Sequence, residues 1–134
     1  QFSWCGMVVS KEGVSTDPSK VAAINAIQVG NISTLKKLRS FVGSCNFLRR
    51  WIPKYSDVVE PLRILFKQGM FRKPNKWTVA QKLAFEELKR MLQQAPIMKH
   101  PNFDKPFFIY CDASKTCVAG ALVQFEDEHF FLFF

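Results

Sequence analysis

The 134-residue sequence lacks several features, and each absence excludes a class of protein. Its four cysteines form no Cys-x-x-Cys pair and are not spaced with its two histidines as zinc ligands, which excludes a zinc finger. No apolar run approaches the roughly 18–20 residues of a transmembrane helix. No basic flank followed by an apolar stretch opens the chain, which excludes a signal peptide. We therefore expect an intracellular protein, cytoplasmic or nuclear and not secreted, with no membrane partner and with reduced, mostly buried thiols.

What is present indicates a globular chain. Hydrophobic residues make up 48% of the sequence and charged residues 22%, a balance that supports a folded core rather than disorder. The length corresponds to one domain or part of one. Because the chain begins with Gln1 rather than methionine, we expect a piece of a longer polypeptide.

Positive charge is concentrated in the middle of the chain. Lysine and arginine number 19 against 11 acidic residues, a net charge of +8. Residues 33–76 hold eleven basic residues and only Asp57 and Glu60, so this third of the chain carries +9. Aromatic residues lie among these cations, and base stacking with phosphate neutralisation requires that combination. The pattern favours nucleic acid over an anionic membrane surface as the partner; the alternative is a solvated face whose charge is incidental.

Hydrophobic periodicity and turn residues predict helices and strands together. In the N-terminal half we expect a strand over residues 2–9, a turn, a short strand over 14–16, and a helix over 19–27 that Asp17 and Pro18 begin. A second helix is predicted from Ser33 or Thr34 to about Leu48, because apolar residues recur there at helical spacing. The residues of that helix that recur at this spacing, and that we expect to be buried, are Leu35, Leu38, Phe41, Val42 and Cys45.

The C-terminal half follows the same mixed pattern. A short helix is predicted over residues 61–67, then a loop over 68–76 rich in glycine, proline and lysine. A capping-box pattern at Thr78 begins a longer helix, whose buried stripe is Leu83, Phe85, Leu88, Met91 and Leu92. An extended link over 97–106 precedes three antiparallel strands near 107–111, 119–125 and 129–134. The last turn holds Glu126, Asp127 and Glu128.

One block of sequence carries a family resemblance. Residues 41–53, FVGSCNFLRRWIP, resemble the stretch LRSFLGxxNYYRRFIP of gypsy-type retrotransposon polyproteins. Other blocks agree in the family's order: VSKEGV at 9–14, DPSKVAAI at 17–24, PL at 61–62, Trp77, AFEELK at 84–89 and PFFIYCDAS at 106–114. The resemblance covers nearly the whole chain. In the family this region follows the polymerase active site, and no Tyr-x-Asp-Asp polymerase motif occurs in this sequence.

The resemblance implies an α+β fold made of four segments. Residues 1–30 resemble the end of the reverse transcriptase palm, with a primer-grip-like β-hairpin and a helix. Residues 31–76 resemble the small helical bundle of the thumb, and residues 77–105 a tether or connection helix with its linker. Residues 106–134 resemble the first antiparallel strands of a ribonuclease-H-like sheet, which is incomplete here.

The resemblance also implies contacts with nucleic acid at the N-terminal hairpin. Trp4, Gly6 and Met7 match the primer grip, which holds the terminal phosphate of the primer. Glycine lets a backbone approach a phosphate closely, and tryptophan supplies a rigid wall. The alternative for Trp4 is ordinary strand packing.

Further contacts are implied along the thumb helix. The matching residues are Arg39, Gly43, Asn46, Phe47, Arg49 and Arg50. Spacings of three and four place Arg39, Gly43 and either Asn46 or Phe47 on one stripe. Such a flat face suits the wide, shallow minor groove of an A-form-like hybrid. The alternatives are helix–helix packing for Gly43 and a core position for Phe47.

Asp112 is the candidate for catalysis. It opens an Asp-Ala-Ser motif at the end of a predicted strand and matches the first catalytic carboxylate of the ribonuclease H family. That family uses four carboxylates to hold two Mg²⁺ ions, which activate water. The resemblance implies a catalytic and metal-binding Asp112 in the full-length parent, with no Mg²⁺ bound by this segment alone. Cys117 and Ala119 stand where the family often has glycine. The alternatives are a carboxylate without a metal and an inactive connection domain.

The implied function is the binding of a primer–template duplex by a segment of a retroelement reverse transcriptase and ribonuclease H. The implied partners are an RNA–DNA hybrid or a DNA duplex and the rest of the Pol polyprotein. The parent would catalyse RNA-directed DNA synthesis and hydrolysis of RNA in hybrids, whereas we expect this segment alone to be inactive. Two alternatives are a non-enzymatic nucleic-acid-binding remnant of a decayed element and a protein-interaction remnant.

Overall fold

The computed structural model describes residues 1–126 and 129–132. Gln1–Met98 form one compact unit and Lys99–Phe134 belong to a second. The predicted α+β class is confirmed, whereas the predicted segment boundaries after residues 30, 76 and 105 stay predictions. In the described part of the chain, no helix is both long enough and apolar enough to cross a membrane.

Three short antiparallel strands form the N-terminal sheet: β1 (Phe2–Trp4), β2 (Met7–Val9) and β3 (Val14–Thr16). Trp4 of β1 pairs with Met7 of β2, so the chain reverses within two residues. Those residues, Cys5 and Gly6, have φ angles of +49° and +77°, the left-handed geometry of a tight hairpin turn. The prediction of one strand over residues 2–9 is therefore wrong, because Gly6 permits a turn inside the apolar run.

Side-chain caps begin the first two helices, α1 (Pro18–Ala26) and α2 (Leu35–Phe47). The Asp17 carboxylate accepts a hydrogen bond from the Ser19 N–H at 2.9 Å. The Thr34 hydroxyl oxygen accepts one from the Lys37 N–H at 3.3 Å. These bonds satisfy amide donors that the first helical turn leaves unpaired. Both helices therefore begin within two residues of their predicted starts.

The helix predicted over residues 61–67 begins six residues earlier. α3 spans Tyr55–Arg63, and a 3-10 helix, Ile64–Phe66, follows it. Pro61 lies inside α3 rather than at its start. Proline has no amide hydrogen, so the helix forgoes one backbone bond there. Tertiary packing of residues such as the fully buried Leu62 stabilises α3 in spite of that loss.

The longest helix of the described residues is α4 (Val79–Gln93). Its predicted capping box is confirmed: the Thr78 hydroxyl oxygen accepts from the Gln81 N–H at 3.3 Å, and the Gln81 side chain accepts from the Thr78 N–H at 2.9 Å. Short 3-10 helices occupy three of the connections in the first unit: Val29–Asn31, Arg49–Trp51 and Pro74–Lys76.

The buried stripe of α4 differs from the prediction at one position. Phe85, Leu88 and Leu92 are buried as expected and Met91 is partly buried, but Leu83 is 64% exposed. Leu83 precedes Phe85 by two residues, which is about 200° around a helix. Leu83 therefore faces away from the core, whereas Ala84, next to Phe85 in the sequence, is buried.

Aromatic rings join α2 and α4 in the core of the first unit. Phe41 of α2 stacks on Phe85 of α4 with ring centroids 4.2 Å apart. Trp77 meets the Phe85 ring edge-on, with centroids 6.1 Å apart. The stripe predicted for α2 is confirmed, since Leu35 is half-buried and the following residues are buried: Leu38, Phe41, Val42 and Cys45.

A backbone clasp joins β3 to the last residue of the first unit. The Val14 N–H donates to the Met98 carbonyl, and the Met98 N–H donates to the Val14 carbonyl, both at 2.8 Å. Gly13 makes room for this pair. Its φ is +143°, and a Cβ added there would lie 2.1 Å from the Met98 carbonyl oxygen. We call these three residues the Gly13 clasp.

The second unit is an antiparallel sheet in the predicted order: β4 (Phe108–Ala113), β5 (Val118–Glu126) and β6 (His129–Leu132). The buried Gln124 side chain accepts from the Asn102 N–H at 2.9 Å and donates to the Asn102 and Lys105 carbonyls at 2.7 and 3.1 Å. The predicted link before the sheet is thus tied to β5. Residues 127–128 of the predicted turn and residues 133–134 of the predicted last strand lie outside the described residues.

The prediction of mostly buried thiols is wrong for three of the four cysteines. All four are free, as expected, but only Cys45 is buried. Cys5 lies in the exposed hairpin turn, Cys111 lies in β4, whose residues are all exposed, and the exposed Cys117 directly precedes β5.

Gly13→Ala is expected to destabilise the first unit by about 2–4 kcal/mol, because the added Cβ collides with the Met98 carbonyl and alanine is strained at this φ. The matched control is Gly30→Ala, whose Cβ would meet nothing within 4 Å. We expect the control to change stability by less than about 0.5 kcal/mol. Urea unfolding measures both variants, and equal midpoints would contradict the role of the clasp.

Because of Cys45, we expect the stability of the first unit to fall at alkaline pH. Burial raises the pKa of its thiol from 9.0 to about 12. The unfolded chain releases this proton first, so the contribution is complete below pH 9 and is lost as the pH rises toward 12. Cys45→Ala is expected to flatten the fall of the unfolding free energy above pH 9, by at most about 1.4 kcal/mol per pH unit.

Urea unfolding of the wild type and of Cys45→Ala, repeated between about pH 8 and about pH 11, measures this difference. Cys5→Ala is the control because it removes an exposed thiol. The same pH dependence in all three proteins would contradict the prediction.

Candidate nucleic-acid interface

A cleft of about 810 Å³ opens beside α2, between that helix and the beginning of α3. The cationic side chains that line it are Arg39, Arg49, Lys54 and Arg63. Gly43 and Asn46 of α2 line it as well. We call this concavity the basic cleft.

The helical repeat of α2 places three of the predicted site residues on one wall of the basic cleft. Arg39, Gly43 and Asn46 are separated by four and three residues, and such residues lie one above another on a helix. The opposite side of α2 is buried, with Leu38 and Phe41 in the core. The apolar side of α2 therefore fixes the direction in which its polar side faces.

The start of α3 forms another wall of the basic cleft. Lys54 adopts a left-handed φ of +51° directly before this helix. The Tyr55 hydroxyl donates to the Val42 carbonyl of α2 at 3.2 Å. Burial is the main cause that raises the pKa of Tyr55 to about 12, so the phenol stays a neutral donor near neutral pH. This hydrogen bond ties the two walls together.

An aromatic ring supports one of the cleft cations. The Arg39 Cζ atom lies 5.8 Å from the centroid of the Phe66 ring, which also lines the basic cleft. This distance is within the range of a cation–π interaction. A guanidinium that stacks on a ring keeps its in-plane N–H donors for a planar anion such as a phosphate.

The basic cleft has no compensating negative charge. No carboxylate of the described residues lines it. Carboxylates of α4 pair with cations of the same helix, Glu86 with Lys89 and Glu87 with Arg90. Across residues 1–126 and 129–132, none of the four cleft cations forms an ion pair. Four uncompensated charges around one concavity create a positive potential that attracts a polyanion.

Gly43 faces open space rather than another helix. A Cβ added at this position would meet nothing within 4 Å. The alternative that Gly43 eases helix–helix packing is therefore wrong. The missing side chain instead leaves the wall of the basic cleft smooth at its centre.

Phe47 contacts the N-terminal hairpin and does not belong to the core. Its side chain is 55% exposed, so the alternative of a core position is wrong. Its Cε1 atom lies 3.2 Å from the position that a Cβ on Gly6 would take. Because φ of Gly6 is +77°, a side chain there would be strained as well as crowded. The structure thus brings together the hairpin turn and the C-terminal end of α2, two segments that are far apart in sequence.

The remaining predicted contact residues occupy different surroundings. Trp4 is 64% exposed at the end of β1, so strand packing does not bury it. Met7 is partly buried and packs against the core. Arg49 lines the basic cleft, whereas Arg50 is exposed and does not line it.

Asp112 lies in β4 opposite Ala119 and is exposed. Over the described ranges, 1–126 and 129–132, no three side chains of histidine, cysteine, aspartate or glutamate cluster as metal ligands. A pair of Mg²⁺ ions needs more oxygen ligands than Asp112 supplies. The described residues alone therefore do not fit such a metal centre.

Sequence reasoning misses several residues that form the basic cleft. The sequence pattern places Lys54, Tyr55 and Arg63 only within the positively charged residues 33–76, and it gives Phe66 no role in the site. These residues come from α3 and its flanks, and the predicted start of that helix is too late. Spacing along α2 identifies one wall, but which wall faces it depends on tertiary packing.

Comparisons with known proteins find relatives of this chain. A family model described as an RNase H-like domain found in reverse transcriptase matches residues 77–134. The transposon Tf2-3 and Tf2-4 polyproteins of Schizosaccharomyces pombe are each 33% identical to the chain over 128 residues, which is 96% of its length. The chain spans 9% of the length of these relatives.

Two solved structures share the fold. One is the foamy viral protease-reverse transcriptase in complex with dsDNA, with a TM-score of 0.71 and 22% identity, which covers 98% of this chain and 26% of that one. The other is the foamy viral protease-reverse transcriptase dRH in complex with ds DNA, with a TM-score of 0.69 and 23% identity, which covers 92% and 21%.

The similarity to the Tf2 polyproteins extends over almost the whole chain, and the family model covers the end of the first unit and all of the second. The resemblance found in the sequence is thereby confirmed. The chain belongs to the Pol polyproteins of gypsy-type retroelements, in their reverse transcriptase and RNase H-like region.

Proposed function

We propose that the chain binds a nucleic-acid duplex in the basic cleft. The observation that carries this proposal is the convergence of Arg39, Arg49, Lys54 and Arg63 on one concavity that no described carboxylate lines. Neutralising phosphates releases condensed counterions, and this release supplies most of the affinity of a sequence-independent binder. The foamy viral proteins of the same fold were solved as complexes with double-stranded DNA, which supports a duplex as the ligand.

The shape of the α2 wall favours a minor groove. Gly43 leaves a smooth centre, and Arg39 and Asn46 flank it with groups that donate hydrogen bonds to groove edges and sugars. An A-form-like RNA–DNA hybrid has the wide, shallow minor groove that admits such a wall. We infer that both an RNA–DNA hybrid and a DNA duplex bind, with the rest of the Pol polyprotein as a further partner and an intracellular site of action.

The N-terminal hairpin supports a role at the end of the primer. Trp4 is exposed beside the turn, and the left-handed backbone of Gly6 forms that turn. The contact between Gly6 and Phe47 links this turn to α2. We propose that the hairpin holds the primer terminus while the basic cleft holds the duplex behind it, with Met7 anchoring the turn to the core.

For the longer polyprotein we propose RNA-directed DNA synthesis and hydrolysis of RNA in hybrids. Reverse transcriptases and ribonucleases H generally use Mg²⁺, which activates water and stabilises the leaving oxygen. Asp112 would supply one carboxylate to such a centre, and other parts of the polyprotein the remainder. We propose that residues 1–134 alone bind a duplex without acting on it.

A second candidate function, protein–protein docking, is favoured by exposed apolar side chains in the second unit. Ile109 is 71% exposed, Val118 82% and Phe103 83%. Apolar surface of this kind is typical of an interaction site. A docking module would bind a partner chain with little dependence on salt, so salt separates it from a duplex binder.

Replacement of the cleft arginines is expected to weaken duplex binding. Arg39→Gln combined with Arg49→Gln and Arg63→Gln removes three cations of the basic cleft. We expect the slope of log K against log salt for a 24-base-pair duplex to become shallower by about 3, roughly one for each phosphate that is no longer neutralised. Fluorescence anisotropy between about 50 and about 200 mM salt measures the slope.

The matched control removes the same charge elsewhere, through Lys11→Gln, Lys82→Gln and Lys115→Gln, all exposed and outside the basic cleft. Arg50→Gln separately tests the predicted contact that the structure places outside the cleft. Equal slopes for the cleft and control variants would contradict the proposed site, and a wild type that binds no duplex would contradict the proposed function.

Asp112→Asn is expected to abolish hybrid hydrolysis in a polyprotein that provides the other carboxylates. The test is a chimaera in which this chain replaces the matching 128 residues of the Tf2-3 polyprotein. We expect release of labelled RNA from a hybrid in Mg²⁺ to fall by at least about 100-fold, because a metal ligand is lost. Asp104→Asn is the control, and an unchanged rate with Asp112→Asn would indicate an inactive connection domain.

A further inference from the structure

The segment that follows the basic cleft carries a second concentration of positive charge. Residues 67–76, KQGMFRKPNK, hold four cations and no acidic residue. They begin directly after Phe66, which lines the basic cleft, and end directly before the buried Trp77. We call this segment the basic loop. None of its residues lines the cleft.

The basic loop has a defined backbone. The Arg72 guanidinium turns back into the loop, where its Nη1 donates to the Gly69 and Phe71 carbonyls at 2.7 and 2.9 Å. The Trp77 indole N–H donates to the Arg72 carbonyl at 2.7 Å. The side chain of Phe71 is partly buried against the core. Three side chains therefore hold the loop in one shape.

This internal bonding divides the four cations into two kinds. Arg72 is engaged with the loop's own carbonyls, so it acts as a structural residue. Lys67, Lys73 and Lys76 are exposed, and among the described residues none of them forms an ion pair. The 3-10 helix at the end of the loop carries Lys76, and Lys73 directly precedes that helix. The loop thus presents three uncompensated charges on an ordered backbone.

We propose that the basic loop, which directly follows the cleft residue Phe66 in the chain, is a second contact with the duplex backbone. This inference rests on the proposed function, because it assigns further phosphates of the same ligand to the loop. A loop that is already ordered loses little conformational entropy when it binds. Lysine is suited to such a contact, since a flexible ammonium neutralises a phosphate without requiring a fixed geometry. The contact is independent of sequence and sensitive to salt.

The variant Lys67→Gln, Lys73→Gln and Lys76→Gln tests the loop while keeping Arg72 and Trp77, which give it shape. We expect the slope of log K against log salt for a 24-base-pair duplex to become shallower by about 2–3. The Lys11→Gln, Lys82→Gln and Lys115→Gln control should keep the wild-type slope. Equal thermal midpoints of the variants establish that the fold is intact.

Limited trypsin digestion gives a second readout that needs no substitution. With a saturating 24-base-pair duplex, cleavage after Lys67 and Lys76 should slow at least about five-fold, whereas cleavage after Lys11 and Lys82 should not. If the duplex slows trypsin cleavage at the residues of the basic cleft but not in the basic loop, this inference is overturned and the proposed function still stands.

The outcomes separate the two proposals. A wild type that binds no duplex overturns both. Duplex binding that depends on Arg39, Arg49 and Arg63 but not on the three loop lysines overturns the second contact alone. A third measurement compares the binding of the wild type and of the loop variant to vesicles with about one-third anionic phospholipid. If the loop variant loses binding to these vesicles but binds the duplex as the wild type does, the second contact is also overturned, because the loop would then recognise a membrane surface.

Discussion

The stack of Phe41 on Phe85 is the interaction on which the first unit depends. It joins α2 to α4, and the edge of Trp77 closes the same cluster. Aromatic pairs of this kind contribute about 0.5–1.5 kcal/mol beyond the area that they bury. Because α2 is amphipathic, fixing its apolar side in this cluster also fixes the direction of Arg39 and Asn46 on its other side. The basic cleft is therefore a consequence of how the core packs.

The core of the first unit also connects the basic cleft to the basic loop. Phe66 supports Arg39 at one end of the basic loop, and Trp77 binds the Arg72 carbonyl at the other. Positive charge in this region is thus carried by elements that the core holds in place, not by a mobile tail. A rigid cationic surface suits a ligand such as a duplex, whose phosphates are regularly spaced.

Most of the helices, the strand order of the second unit and one wall of the site could be predicted from the sequence. Caps and helical spacing are local signals, so Thr34, Thr78 and the buried stripe of α2 are identified correctly. The errors have non-local causes. Pro61 suggests the start of a helix because proline is common there, and only tertiary packing allows it to lie inside α3. The turn at Cys5 and Gly6 lies within an apolar run for which the sequence pattern predicts one strand.

The Gly13 clasp has a consequence for the solution behaviour of the protein. β3 is an outer strand of its sheet, and an uncovered outer strand offers backbone groups with which another chain can pair. The backbone of Met98 already forms hydrogen bonds with both the N–H and the carbonyl of Val14 on that side. Gly13 permits this pairing and so helps to block a position at which a strand of another molecule could add. Replacement of Gly13 would therefore expose the protein to self-association.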